Sequence, residues 1–438
     1  MVPTGGSVSG YVVCLLRVWL VKVTVSDSTG PSQNLDLLAA YERLERLGRP
    51  LNAVASVALA PARAADGPLA GQPVAVKDII AVAGLPTRCG SPASDPAPAA
   101  ADATVVHRLR AAGAEVFATT QCLEYAAGFA HPEIGDTRNP RDPSRTSGGS
   151  SGGSAAVVAA GVCDLALGTD TGGSVRIPAA YCGVVGLKPS YGAVPTTGVF
   201  PLSPACDHVG TLTATVAGTA LLYGVLAGEN RPGQLAGDQR FTVGVLAAQL
   251  ADPSVTPEVR AAISRSLDRL RASGWEVREL TAPWLASLAE WSDVLSVIVA
   301  REAAAVHRGR DTSRYAEGTR GLLEFGAGVS DEQYERALAR RAVLTAAIDD
   351  SLAGVDVLAG PTVGFQAPEE DPPFGVGEDS GEGRFTGPYN LTGHPAVSLP
   401  VPVDGLPAGL QLAGRRGGDW PLLRVAAAAE QVLGRLAR

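Results

Sequence analysis

The sequence predicts an α/β fold, one large domain in which a mostly parallel sheet is flanked by helices on both faces. Two observations carry this reading. Short apolar runs at 71–76, 115–120, 163–168 and 241–246 alternate with stretches whose apolar residues recur at helical spacing. Strand–helix–strand alternation of this kind places parallel strands beneath crossover helices. In addition, no internal repeat and no polar linker interrupts the chain after residue 30. A length of 438 residues would alone suggest two or three domains. The unbroken pattern favours one domain over 31–438 behind a variable N-terminal extension, 1–30.

Taken in order, Leu35, Leu38, Tyr41, Leu44 and Leu47 mark a first helix over 34–47, with Gly48 as its stop. A small helix is expected near 58–65. The strand at 71–76 leaves Lys77 at its end. Asp102 is placed to cap a helix that runs to Ala112 and closes at Gly113. The strand at 115–120 follows, and the Pro-, Arg- and Asp-rich stretch 131–147 reads as a loop. Then come a helix at 154–161, the strand at 163–168, a strand at 184–188 and a helix at 213–226. Further helices are expected at 257–273, 283–307, 331–352 and 420–436, and strands at 241–246 and 355–359. Segment 361–384 is a long Pro- and Gly-rich loop with the acids Glu369, Glu370, Asp371, Glu378, Asp379 and Glu382 and the single base Arg384. Loops of that length inside a compact domain are commonly functional or disordered.

Composition narrows the function classes. The chain is 46% hydrophobic and 18% charged, with a net charge of −8. No Lys- or Arg-rich run offers a phosphate-binding face, so nucleic acid is not expected as a partner. The apolar stretch 11–25 is broken by Arg17 and Lys22 and is too short to span a bilayer, so no membrane partner is expected. It also lacks the features of a secretory signal. The six cysteines have no Cys-x-x-Cys spacing and the five histidines no His-x-x-x-His pair. They read as reduced thiols of a cytoplasmic protein without a metal site.

The chemistry is concentrated in two glycine-flanked serine loops. The first is Gly148-Gly149-Ser150-Ser151-Gly152-Gly153-Ser154. The second is Gly168-Thr169-Asp170-Thr171-Gly172-Gly173-Ser174-Val175-Arg176. Thr171, Gly172, Gly173 and Ser174 offer four successive backbone N–H groups, a nest able to hold an oxyanion beside a hydroxyl nucleophile. Read alone, the same residues could be a glycine turn with Ser174 capping a helix.

These loops, with the upstream block Pro73-Val74-Ala75-Val76-Lys77-Asp78, resemble the amidase signature hydrolases. The likeness runs from about Leu51 to the C-terminus and includes Asn390-Leu391-Thr392-Gly393-His394-Pro395 and the 405–411 stretch. The resemblance implies a mixed sheet between helices and a seryl acyl-enzyme on Ser174. It implies Lys77 as a buried base with a lowered pKa. It makes Ser150, on a cis peptide, the proton relay between the two. Thr171, Gly172 and Gly173 become the oxyanion and substrate-binding groups. Asp170 and Arg176 are expected to pair and brace the loop. An alternative assigns Arg176 to a substrate carboxylate, but the family position for that role falls on Ile177. Asp78 supports without being catalytic, and Ser151 and Ser154 serve as loop and helix-cap hydroxyls. The substrate is expected to be a small-molecule amide with no cofactor, and a homodimer is left open.

Other readings start from the same residues. Gly148-Gly149-Ser150-Ser151-Gly152 satisfies the G-x-S-x-G elbow of α/β-hydrolases. That motif needs a preceding strand and a histidine, and neither His208 nor His394 has supporting context. An amidase-fold glutaminase subunit of a tRNA-dependent amidotransferase is the main alternative, although 291–310 does not resemble the segment found there. A non-catalytic scaffold is disfavoured by the presence of all three catalytic residue types. Pocket walls are expected from 121–129, 283–325 and 361–385.

Overall fold

The computed structural model describes residues 31–58, 66–229, 235, 240–372, 381–401, 403 and 405–436. The expected extension 1–30 and most of the expected helix at 58–65 lie outside them. In chain order the strands are β1 (Val54–Val57), β2 (Pro73–Lys77), β3 (Glu115–Thr120), β4 (Arg138–Asn139), β5 (Asp142–Thr146), β6 (Leu165–Asp170) and β7 (Val185–Lys188). They continue as β8 (His208–Thr213), β9 (Thr242–Leu246), β10 (Glu276–Leu280), β11 (Val357–Pro361), β12 (Ala396–Val401) and β13 (Ala408–Ala413). Eleven of them form one mixed sheet in the order β1-β3-β2-β6-β8-β7-β12-β13-β11-β9-β10, and β4 and β5 form a separate hairpin.

Parallel pairing occupies two blocks, β3-β2-β6 and β11-β9-β10. The strands between them, β8, β7, β12 and β13, pair antiparallel. Strand–helix–strand alternation reveals the first kind of pairing and not the second.

Successive side chains of a strand face opposite sides, and here each side has its own core. Val74 and Val76 of β2 and Leu165 and Leu167 of β6 join a large cluster with the helices Thr104–Ala111, Val216–Ala227 and Asp419–Leu433. Ala75 and Ala166, between them in sequence, join a second cluster with Gly152–Ala159 and Arg176–Cys182. The helix Gly152–Ala159 is built from Gly, Ser, Ala and Val and is buried along its whole length. Side chains that small let it lie close against the sheet, which brings the first serine loop to the strand ends.

Several local expectations are corrected. Gly48 does not end the first helix in a left-handed turn. The helix Pro31–Arg43 widens into a π-helical turn, Leu44–Gly48, and Arg49 remains right-handed. Asp102 does not cap Thr104–Ala111, whose N-cap is Ala103 without a side-chain bond. The Asp102 carboxylate instead accepts from the Ala83 N–H at 2.7 Å and pairs with Arg110. The loop at 131–147 contains the β4–β5 hairpin. The five described cysteines are free and buried, and no helix among the described residues is long and apolar enough to cross a membrane.

Candidate active site

Parallel pairing of β2 with β3 and β6 sets Lys77 opposite Thr120 and Val76 opposite Leu167. The carboxyl ends of the three strands therefore emerge along one edge, where ligands of α/β sheets bind. Lys77 ends β2, the second serine loop leaves β6 after Asp170, and 121–128 leaves β3.

Lys77 is fully buried. Its Nζ donates to Ser150 Oγ at 2.7 Å and to Thr169 Oγ1 at 2.8 Å. Burial disfavours the ammonium and lowers its pKa from 10.5 to about 8, against smaller opposing effects of Cys122, Asp170 and Asp207. About a tenth of Lys77 is then neutral at pH 7 and most of it above pH 8, and the neutral amine has a lone pair able to take a proton. Asp78 makes no hydrogen bond to Lys77, and burial raises its own carboxyl to about 7.

The Gly149–Ser150 peptide bond is cis. Leu123 closes over Gly149, and a Cβ there would lie 2.1 Å from Leu123 Cδ1 and displace that side chain. The second loop docks on the first through Ser151 N–H, which donates to the Ser174 carbonyl at 3.2 Å. Gly173 has φ +140°, and a Cβ on it would sit 2.3 Å from Thr386 Oγ1. Thr386 donates its hydroxyl to the Gly172 carbonyl at 2.6 Å, which fixes the loop from outside. Among the described residues, the N–H groups of Thr171, Gly172, Gly173 and Ser174 donate to no protein acceptor. The Thr171 hydroxyl donates to Asp207 Oδ1 at 2.7 Å.

Ser151 and Ser154 do not cap the helix they begin. Ser151 donates to the Thr169 carbonyl at 3.1 Å and Ser154 to the Leu167 carbonyl at 2.8 Å, so both bind the helix to β6. Nor does Ser174 cap Arg176–Cys182. Asp170 does, from upstream, with Oδ2 accepting the Val175 and Arg176 N–H groups at 3.2 and 3.4 Å. A carboxylate there also suits the positive end of the helix dipole.

Arg176 is completely buried. Its Nε and Nη2 fork onto Asp170 at 3.0 and 2.9 Å, and Nη2 also donates to Asn390 Oδ1 at 2.6 Å. Nη1 donates to the Thr386 carbonyl at 3.0 Å and to Gln411 Oε1 at 2.8 Å. Burial alone would raise the Asp170 carboxyl, but the Arg176 charge and hydrogen bonds outweigh it and hold the group below the usual carboxylate range. Every Arg176 donor direction is spent inside the protein, and Arg176 does not line the cleft.

That cleft holds Ser150, Ser174, Thr171 and Gly172 at its base. Leu123, Ala126, Ile177, Leu295 and Val299 make it apolar, and Asp371 and Glu382 add the polar side. All three segments expected to form the pocket contribute. Of the loop acids, Glu369 and Glu370 are exposed, and Glu378 and Asp379 lie outside the described residues. Tyr181 donates to Glu382 Oε1 at 2.9 Å, and Thr146 donates to Asp371. Burial raises Asp371 to about 6 and Glu382 to about 8, the latter with a contribution from Asp371.

The elbow reading of Ser150 meets a geometric obstacle. The strand before it, β5, belongs to the separate hairpin. His208 Nδ1 faces the carbonyls of Asp170 and Cys206, and His394 binds Asp349 and Thr392. Neither histidine bonds to Ser150.

A family model described as Amidase matches residues 37–423. A glutamyl-tRNA(Gln) amidotransferase subunit from Koribacter versatilis (strain Ellin345) is 34% identical over 444 residues, covering 90% of this chain and 91% of that one. The chain belongs to the amidase signature family. It is an amidase-signature enzyme, with the mixed sheet of its solved relatives. A crystal structure of an amidase superposes with a TM-score of 0.81 at 37% identity, covering 92% of this chain and 96% of that one. The 6-aminohexanoate cyclic dimer hydrolase complexed with substrate gives a TM-score of 0.83 at 29% identity, with 93% and 95% covered.

Thr169 and Asp207 escaped the sequence reading. Thr169 is unremarkable until the strand register sets it beside Lys77. Asn390 and Gln411 lie in C-terminal blocks that the family resemblance marked without assigning a role.

Proposed function

We propose that this amidase-signature enzyme hydrolyses a carboxylic amide to acid and amine or ammonia through an acyl-enzyme on Ser174. The observation that carries the reading is the buried Lys77 amine 2.7 Å from Ser150 Oγ at the base of the cleft that holds Ser174. Ser174 Oγ attacks the carbonyl carbon. Its proton passes to Ser150, and the Ser150 proton passes to Lys77. The four N–H groups of Thr171–Ser174 hold the oxyanion. As the C–N bond breaks, the nitrogen takes a proton from Ser150, which Lys77 replaces. Water then attacks the ester, its proton follows the same relay, and the acid leaves as Ser174 regains its hydrogen.

The glutaminase-subunit reading is supported by the names of curated relatives, among them one from Halobacterium salinarum at 36% identity. Free glutamine carries an α-ammonium that Asp371 could hold and an α-carboxylate. The described cleft walls present no Lys, Arg or His side chain to that carboxylate. This favours a neutral or cationic substrate over free glutamine.

The test is the purified chain assayed alone on a matched amide and ester across pH. Neutral Lys77 is the base, so kcat/KM should be low below about pH 8 and rise through it to a plateau. An amine leaves only once protonated and a phenoxide needs less help, so Lys77→Ala should lose more on the amide than on the ester. Equal losses, or a variant that keeps the parental pH profile, would remove Lys77 from proton transfer. Amide turnover only in the presence of partner subunits would favour the glutaminase reading.

The cleft acids give a separate expectation. At pH 7 Asp371 is mostly ionised and Glu382 mostly protonated. Asp371→Asn should raise kcat/KM for an anionic substrate about 3- to 10-fold relative to its neutral analogue, the effect of one partly screened charge. Glu382→Gln should do so chiefly above pH 8. An unchanged anionic-to-neutral ratio would take the loop out of specificity.

A further inference from the structure

The cleft at Ser174 is adjoined by a second and roomier space. A chamber of about 250 Å³ shares Ala126, Thr171 and Leu202 with the cleft. Ile79, Val199, Phe200 and Pro201 give it apolar walls. An apolar cavity of roughly 150 Å³ already holds a benzene ring, so this one accommodates an aromatic group with room to spare.

Besides threonine hydroxyls, its polar wall carries His208 and Asp207. His208 is buried, and Nδ1–H donates to the carbonyls of Cys206 at 2.6 Å and Asp170 at 3.2 Å. That fixes the proton on Nδ1 and leaves Nε2 an acceptor. Among the described residues Nε2 has no hydrogen-bond partner. Asp207 stands beside it, and its carboxylate accepts from Thr171 and from the N–H groups of Leu202 and Ser203. No Lys or Arg lines the chamber.

The chamber also lies on the side of the proton source. Thr169, the second partner of Lys77 Nζ, forms part of its wall. The departing nitrogen takes its proton from Ser150, which lines the cleft and shares Lys77 Nζ with Thr169; a nitrogen facing Ser150 directs its substituent toward the adjoining chamber and the acyl group toward Leu123, Ile177, Leu295 and Val299.

Resting on the hydrolytic reading above, we propose that this chamber is the amine-side subsite, and that the substrate is a secondary amide with a bulky apolar N-substituent. A ring seats against Val199, Phe200 and Pro201, and an N–H or O–H donor on it meets the part-buried Asp207 carboxylate. A primary amide leaves the chamber unused.

The probes are a primary amide and the N-benzyl amide of the same acid. Ammonia and benzylamine are of similar basicity, so the pair differs mainly in what fills the chamber. Binding is measured by calorimetry on Ser174→Ala, whose turnover is slowed at least about a thousandfold, and kcat/KM on the parent chain. The N-benzyl amide should bind and react at least about tenfold better. Val199→Trp, which fills the chamber, should erase that preference in both readouts. If Val199→Trp does not fold, Val199→Ala takes its place and should improve a naphthylmethyl amide relative to the benzyl amide. Equal binding of the two amides to Ser174→Ala, or a preference unmoved by either Val199 variant, would overturn the subsite. Selective binding without turnover by the parent would keep the subsite and reject the hydrolytic reading.

Discussion

Ser174→Ala protein should fold like the parent and hydrolyse amides about 10³- to 10⁶-fold more slowly, the range found when one member of a nucleophilic unit is removed. Little structural cost is expected. Ser174 is half-buried, and its hydroxyl supports no hydrogen bond within the described protein. The helix that follows does not depend on it, because Asp170 accepts the Val175 and Arg176 N–H groups. The residual rate should come from the N–H groups of the loop, which the substitution leaves in place. Ser150→Ala should be damaging too, since Lys77 would lose its link to the cleft. Circular dichroism and thermal melting separate loss of chemistry from loss of fold. Parental kcat/KM in Ser174→Ala would reject the nucleophile.

The second large effect concerns stability. Arg176→Met should destabilise the protein by about 3–5 kcal/mol, the usual cost of leaving one partner of a buried ion pair uncompensated. At roughly 2.1 cal/mol/K of unfolding entropy per residue, that lowers the melting midpoint by about 3–6 °C. The cause is the orphaned Asp170 carboxylate, with Asn390 Oδ1, Gln411 Oε1 and the Thr386 carbonyl each losing a donor. Arg176→Lys should recover little, because an ammonium cannot reproduce the fork. Asp170 titrates below its ordinary range in the folded protein. The pair therefore stabilises fully above the unfolded carboxylate pKa of about 3.9 and progressively less in stronger acid. The gap between variant and parent should be largest near neutrality and narrow as pH falls through that region. A variant that melts with the parent at pH 7 would contradict the bracing role.

What was legible in the sequence depended on the reach of each interaction. β2, β3 and β6 were legible because their apolar runs follow a glycine and sit between helical patterns, although β6 runs to Asp170, two residues past the expected end at Gly168. β8 was not, because His208, Gly210, Thr211 and Thr213 interrupt its hydrophobicity, and it is buried only by its neighbours. The helix Arg176–Cys182 carries Pro178 and lacks a Ser, Thr or Asn cap. Its capping carboxylate comes from Asp170, whose role is visible only once the loop has folded back. Ser150, Ser174 and Lys77 stood out through glycine-rich spacing and family likeness. Their partner Thr169 depends on strand register, and the acceptors of Arg176 other than Asp170 lie more than 200 positions away. The acids of the 361–384 loop were legible as charge, but burial decides which of them face the cleft.

The central claim is that Ser174 is the acylated residue and that Ser150 and Lys77 serve it. The most direct measurement is intact-mass spectrometry after treatment with a fluorophosphonate, followed by peptide mapping. One adduct per chain should form and map to Ser174, and labelling should slow sharply in Lys77→Ala. An adduct on Ser150, or undiminished labelling in Ser174→Ala, would contradict the account.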